Sequence, residues 1–147
     1  MSRDFRLYIV DIFIAINKIN RYTHEITDAQ SLRWNEILWD ATIRELEIIG
    51  ESTRVLIESD FLNNKKYRKI VDFRNIIAHG YFGLDEDEVF YVVTNKLLPF
   101  ETELIQLILQ NNLDIKEAIL LAMQENEKIK SLTDYLENLQ KELKYAR

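Results

Sequence analysis

Apolar residues recur along this chain at intervals of three and four, the spacing that puts side chains on one face of an α-helix. From residue 4 to about 21, Leu7, Tyr8, Asp11, Ile12, Ala15, Ile16 and Ile19 fall on one stripe. Phe5, Ile9, Phe13 and Ile14 widen it, so this helix is expected to be largely buried, with Ser2 as its N-cap. A polar connection, Tyr22 to Asp28, precedes a second long helix that starts between Ala29 and Asn35 and runs to about Glu58. Ile37, Leu38, Ala41, Ile43, Leu46, Ile49, Thr53 and Leu56 hold its face. Gly50 lies in its middle and costs about 1 kcal/mol relative to Ala. Such a glycine marks a point where another backbone comes close.

The third helix is expected from about Lys65 to Ala78, with Tyr67, Ile70, Val71, Phe73, Ile76 and Ile77 apolar. Gly80 follows it as the residue suited to a left-handed stop. After a short loop, Asp85 reads as the N-cap of a fourth helix. Glu86, Asp87 and Glu88 then occupy its first turn, where the helix dipole favours acids, so the run needs no metal to explain it. This helix continues to about Gln110, with a kink expected at Pro99.

Asn111-Asn112 interrupts the pattern before a last segment, Asp114 to Arg147, with a heptad-like seam. Ile115, Ala122, Ile129, Leu136 and Leu143 take the a positions; Ala118, Leu132, Leu139 and Ala146 take d, with Glu125 as the single exception. One continuous helix there would be roughly 50 Å long, against a radius of gyration of about 15 Å for a compact chain of this length. The segment must therefore break, and Ser131 with Asp134 permits that near Lys130, or reach beyond its own body. Its seam requires a covering surface, on the rest of the chain or on a neighbouring subunit, and the expectation here leans to the neighbour.

Composition narrows the function. With 3 Gly and 1 Pro in 147 residues, a β-sandwich, a barrel or a Gly-rich phosphate cradle is disfavoured. With no Cys, there is neither a disulfide framework nor a thiolate metal site. No apolar run is long enough to span a bilayer, and the charged N-terminal stretch lacks the pattern of a signal peptide. The reading is an all-α, cytoplasmic protein without a membrane association. A net charge of −6 disfavours broad binding to duplex nucleic acid. The charge is uneven, however: Lys65, Lys66, Arg68, Lys69 and Arg74 face a single acid, Asp72, within the third helix. That is a small basic site on an acidic body, fit for contact with a few phosphates.

Two histidines are present. His24 falls in a polar connection and reads as a solvated loop residue. His79 stands at the end of the third helix, five residues after Arg74 and two before Tyr81. Asn75 and His79, at i and i+4, share a face, so Asn75 could orient the imidazole, whereas Arg74 and His79 are about 140° apart. A guanidinium recognises phosphate and an imidazole moves protons near neutral pH. The plain structural alternative is a histidine complementing the helix dipole and an arginine paired with an acid such as Glu51.

The stretch Arg74-Asn75-Ile76-Ile77-Ala78-His79-Gly80-Tyr81 resembles the R-x4-H-x-Y motif of the HEPN superfamily, specifically its HepT toxins. Upstream, Ile43 to Glu51 is similar to the family's helix leading into Ile49-Gly50-Glu51, and downstream the likeness extends through Leu97-Leu98-Pro99, about residues 4 to 110 in all. Tyr67 stands where family members often carry Trp, and residues 111–147 exceed the usual family body.

The resemblance implies an up-and-down four-helix HEPN bundle over residues 1–110, with 111–147 as a helical extension and not an independent domain. It implies a metal-independent endoribonuclease, needing no cofactor, that works as a homodimer with two R-x4-H motifs near each other. Arg74, His79 and Asn75 would form the catalytic site, acting on RNA. The implied partner is an MNT-type nucleotidyltransferase antitoxin that attaches AMP to Tyr81. The alternative function is a non-catalytic HEPN nucleotide-binding or helical adaptor module.

Overall fold

The computed structural model describes residues 3–80 and 83–145. The described residues form eight α-helices: α1 (Phe5–Thr23), α2 (Ala29–Arg33), α3 (Glu36–Glu58), α4 (Asn64–His79), α5 (Glu86–Asn95), α6 (Leu97–Gln110), α7 (Lys116–Glu125) and α8 (Lys130–Glu142). No described residue lies in a strand, so the all-α expectation holds. Among these helices none is both long and apolar enough to cross a membrane.

Most starts follow from short polar side chains that cap free backbone amides. Asp4 accepts from the Arg6 amide at 2.9 Å, so the cap of α1 is Asp4; the expected cap, Ser2, lies outside the described residues. Asp28 caps α2 through Ser31, Asn35 caps α3 through Leu38, and Asn63 caps α4 through Lys66. The uncertain start of the second long helix is resolved as two elements, the five-residue α2 and then α3.

The stops differ from expectation in an informative way. Gly80 has φ −132° and is not left-handed; its amide donates to the Ile76 carbonyl at 2.7 Å, so helical bonding carries through it. The left-handed stops fall instead on Asp60, Asn112 and Lys144, with φ of 62°, 48° and 65°. In each case the next amide reaches back six residues inclusive, Phe61 to Leu56, Leu113 to Ile108 and Tyr145 to Gln140, at 2.9–3.0 Å. This is the Schellman closure, made without glycine. The break in the fourth helix comes at Lys96, between α5 and α6. Pro99 lies three residues beyond, where it lacks an amide for the Asn95 carbonyl and its ring would clash with it, so α5 ends at Asn95.

α1 packs along α3, α3 along α4, and α6 returns against α1, with α2 resting on α5. The short connection from α3 to α4 makes that pair antiparallel neighbours. Ile9, Ile12, Phe13, Ile16 and Ile19 of α1 are fully buried at the centre. Complete burial of each such side chain stabilises by about 1.5–3 kcal/mol.

The C-terminal segment breaks between Glu125 and Lys130, close to the expected place. Contrary to the lean towards a neighbouring subunit, α7 and α8 fold back onto α1 and onto each other. Ile115, Ile119, Leu132 and Leu136 are wholly buried and continuous with the bundle core. Two polar contacts fix this return. The Tyr145 hydroxyl donates to the Leu113 carbonyl and accepts from the Ile115 amide, both at 3.0 Å. The Tyr135 hydroxyl donates to Glu101 Oε2 on α6 at 2.5 Å. Burial holds the Glu101 carboxyl above the ordinary range, and Tyr135 partly counters that. The seam is covered because a hairpin of two short helices satisfies it locally; of its a positions, Ile129 at the bend stays partly exposed.

Candidate active site

The helix α4 carries two kinds of surface. Tyr67, Val71 and Ile77 are buried against the bundle, and at 100° per residue Arg74 falls in the middle of that same face. An arginine is a poor fit for a packed interface unless room and a counter-charge are provided. Gly50 of α3 provides the room. A Cβ on Gly50 would lie 2.1 Å from the Arg74 Cβ and 2.6 Å from its Cγ, closer than any two such atoms approach. The mid-helix glycine thus marks the close approach its position predicted, and what comes close is the motif arginine.

The next residue on α3 provides the counter-charge. Arg74 Nη2 lies 3.7 Å from Glu51 Oε2, while Arg54, one turn on, forms an ion pair and hydrogen bonds with the same carboxylate. The bonds from Arg54, and more weakly the charge of Arg74, hold the Glu51 carboxyl below the ordinary carboxylate range. Arg54 is drawn away to Glu58 as well, at 2.6 Å. One carboxylate is therefore shared between two guanidiniums, and Arg74 holds it only at long range. The Arg74 Nε is buried and has no hydrogen-bond acceptor among the described residues. Arg74 is fixed in place by packing but is not fully satisfied by bonding.

Glu51, the acid expected to pair with Arg74, does so. The competing Arg54 was not among the expected site residues. The signal was present in the i, i+3 spacing of Glu51 and Arg54, which makes surface ion pairs on a helix.

Asn75 does not bond to His79. Its Oδ1 accepts from Arg74 Nη1 at 3.3 Å, so its contact is with the guanidinium and not the imidazole. His79 is exposed at the end of α4, and no hydrogen bond or ion pair links it to Arg74. Within one chain the structure leaves these two side chains on different sides of the helix. Ile76, on the outer face beside His79, is 51% exposed. Tyr81 lies outside the described residues. His24 caps the end of α1, with its Nδ1 hydrogen-bonded to the Arg21 carbonyl at 2.9 Å, and stays solvated. Asp85 caps α5 through the Asp87 amide, as the acidic run predicts.

Comparison with known proteins places this chain in a family. A "Putative RNase MJ1380" of Methanocaldococcus jannaschii is 37% identical over 87 residues, which cover 57% of this chain and 78% of the relative. A "Putative RNase MJ0127" of the same organism is 29% identical over 99 residues, covering 65% of this chain and 80% of the relative. A third, named "Gamma-glutamylcyclotransferase and putative RNase MJ0434", is 27% identical over 110 residues, and the match spans 49% of its length. No solved structure gives a significant match. Residues 12–110 match the family model described as Ribonuclease HepT-like, which takes in α3 with Gly50 and the whole of α4. With two-thirds of its length inside that model, this chain belongs to the HepT-like ribonuclease family.

Proposed function

We propose that the chain is an endoribonuclease that cuts RNA without a metal ion, with His79 and Arg74 as its catalytic residues. The observation that carries this reading is the seating of Arg74. Arg74 packs its aliphatic stem against Gly50 on a buried face, while its guanidinium shares its counter-ion with Arg54 and keeps a buried Nε with no acceptor among the described residues. It sits five residues before an exposed imidazole at a helix end, in a chain of a ribonuclease family.

The chemistry needs one nucleophile, which RNA itself brings. The 2′-hydroxyl gives its proton to the His79 imidazole and its oxygen attacks the adjacent phosphorus. The P–O5′ bond breaks, and the leaving 5′-oxygen takes up a proton, from the protonated imidazole of this or a second His79. The products are a 2′,3′-cyclic phosphate and a free 5′-hydroxyl. Arg74 donates to the non-bridging oxygens as charge builds on them. Asn75 acts as a positioning residue, holding one Nη of that guanidinium.

The active form in this reading is a homodimer. Arg74 and His79 diverge by about 140° around α4, so a second copy of the helix brings the complementary pair together. In the cell the enzyme would be a toxin held in check by an MNT-type nucleotidyltransferase that transfers AMP to the Tyr81 hydroxyl. A phosphodiester two residues from His79 places negative charge and bulk where the substrate phosphate must sit.

Two measurements test this. Total RNA treated with the pure protein in EDTA should be cleaved, and His79→Ala should remove the cleavage. Co-expression with an MNT-type nucleotidyltransferase should add AMP-sized mass to the wild type and none to Tyr81→Phe. A Tyr81→Phe protein that is still silenced, with no added mass, would show that inhibition works by binding alone.

A further inference from the structure

The start of α4 breaks a rule that the start of α5 keeps. A helix N-terminus favours acidic side chains and disfavours basic ones. α5 opens with Glu86, Asp87 and Glu88, whereas α4 opens with Asn64, Lys65 and Lys66 and has no acid in its first turn. Lys66 is compensated by Glu103 of α6 at 2.7 Å. Lys65 and Lys69 are exposed and have no ion-pair partner among the described residues. Local electrostatics is set against Lys65, and no fold contact accounts for either lysine. Lys130 also opens a helix, α8, but pairs with Asp134 at 2.8 Å; an uncompensated lysine at such a position fits a residue kept for binding.

Their position says what they would bind. At 100° per residue, Lys65, Lys69, Asp72, Ile76 and His79 lie within an arc of about 80° on the outer face of α4. The rise from Lys65 to His79 is about 21 Å. Asp72 is occupied by Arg68 at 3.3 Å, which leaves the two lysines as the uncompensated charges of the stripe. They stand at its outer end, and the half-exposed Ile76 and His79 stand at the other.

We propose that Lys65 and Lys69 anchor the phosphate backbone of single-stranded RNA and lead the strand along α4 to His79. This rests on the ribonuclease reading above and adds to it where the strand lies. Lysine is suited to the task, being a flexible point charge that takes phosphate oxygens without reading base identity. The net charge of −6 repels RNA elsewhere, so the stripe also steers it. Because phosphates are contacted and bases are not, the anchor raises affinity for any sequence.

The test uses the full-length His79→Ala protein, which holds substrate without cutting it, and a fluorescein-labelled oligouridylate read by anisotropy across a salt series. Adding Lys65→Glu and Lys69→Glu should weaken binding at least about tenfold at low salt. The salt slope should flatten by about 1.4, the value for two single-strand phosphate contacts. Lys128→Glu, on the bend between α7 and α8, is the control and should change neither. Lys→Gln at both positions adds no like-charge pair with Asp72, so it should leave the melting temperature little changed while giving a smaller loss of the same sign and the slope change of two lost contacts. In the active background, the two substitutions should raise KM and spare kcat.

Unchanged affinity and slope beside a wild type that cleaves RNA would overturn the anchor alone. A wild type that neither binds nor cleaves would overturn the ribonuclease reading, and the anchor with it. Substitutions that instead split the oligomer would show that the stripe is a protein interface.

Discussion

The motif helix α4 and the returning hairpin α7–α8 are built from similar residues but obey different rules. In the hairpin, sequence pattern and environment agree: Leu132, Leu136 and Leu139 are buried, and the polar hydroxyls of Tyr135 and Tyr145 each find partners. In α4 they disagree. Arg74 occupies a packed position, Ile76 faces outward, His79 is exposed at the helix end, and lysines open the helix where acids belong. The hairpin has departures of its own, since Leu120, Leu121 and Ile129 are partly exposed and Lys130 opens α8, but Lys130 is paired with Asp134. The departures in α4 differ in including the motif residues Arg74 and His79, and that is where function is expected.

The contrast is sharpest under mutation, because the two regions should fail in different ways. Arg74→Lys keeps the charge and most of the packing but loses the planar fork. It should lower the cleavage rate about 10²–10³-fold with little change in melting temperature, a split that rate assays and thermal scans resolve. Leu136→Ala should do the reverse. It opens a cavity in a fully buried site and should cost about 2–5 kcal/mol in denaturant unfolding, while the molecules that remain folded cleave at the normal rate.

Gly50→Ala should damage both properties at once. The new methyl clashes with the Arg74 Cβ, which is no flexible tip that can swing aside. A cost of about 1–3 kcal/mol from overpacking should outweigh the gain of about 1 kcal/mol in helix propensity. Activity should fall with it, because Arg74 must shift. A stabilised and active Gly50→Ala protein would show that α3 does not set the arginine's position.

A smaller effect, with a pH signature, is expected in the hairpin. Burial raises the Glu101 carboxyl, and the Tyr135 hydroxyl opposes that by bonding its charged form. The folded state therefore holds this proton more tightly than the unfolded state. The stabilising effect of that tighter hold is present at acid pH and is lost as pH rises through the raised folded value. Tyr135→Phe removes the opposing bond and deepens the loss. It should cost about 1–3 kcal/mol at neutral pH and clearly less at about pH 4, where the carboxyl is largely protonated. Denaturant midpoints at the two pH values measure the difference. The smallest expected change is a gain: Lys65→Glu should stabilise α4 by about 0.3–1 kcal/mol through the helix dipole.

Most of the fold was legible in the sequence because periodicity and capping are local. The long helices, the Asp85 cap and the break near Lys130 follow from residues within a turn or two of each position. Where expectation failed, the deciding contact was distant or the chemistry was degenerate. The left-handed stops could not be read from glycine, since Asp60, Asn112 and Lys144 serve instead. The tail's fold onto α1 depends on which surface is vacant, which no heptad count records. At the site, the spacing of Arg74 and His79 and the presence of Gly50 were all visible. That Gly50 makes room for Arg74, and that Asn75 bonds the guanidinium and not the imidazole, are facts of packing between α3 and α4.

In the proposed function, α4 carries a ribonuclease site centred on His79. A labelled single-stranded RNA incubated with wild type and His79→Ala in EDTA, with analysis of the fragment ends, tests it most directly. The account predicts cleavage by the wild type to 2′,3′-cyclic phosphate and 5′-hydroxyl ends, and a loss of about 10²–10⁴-fold in His79→Ala. RNA left intact by the wild type, or cut equally well by the mutant, would contradict it.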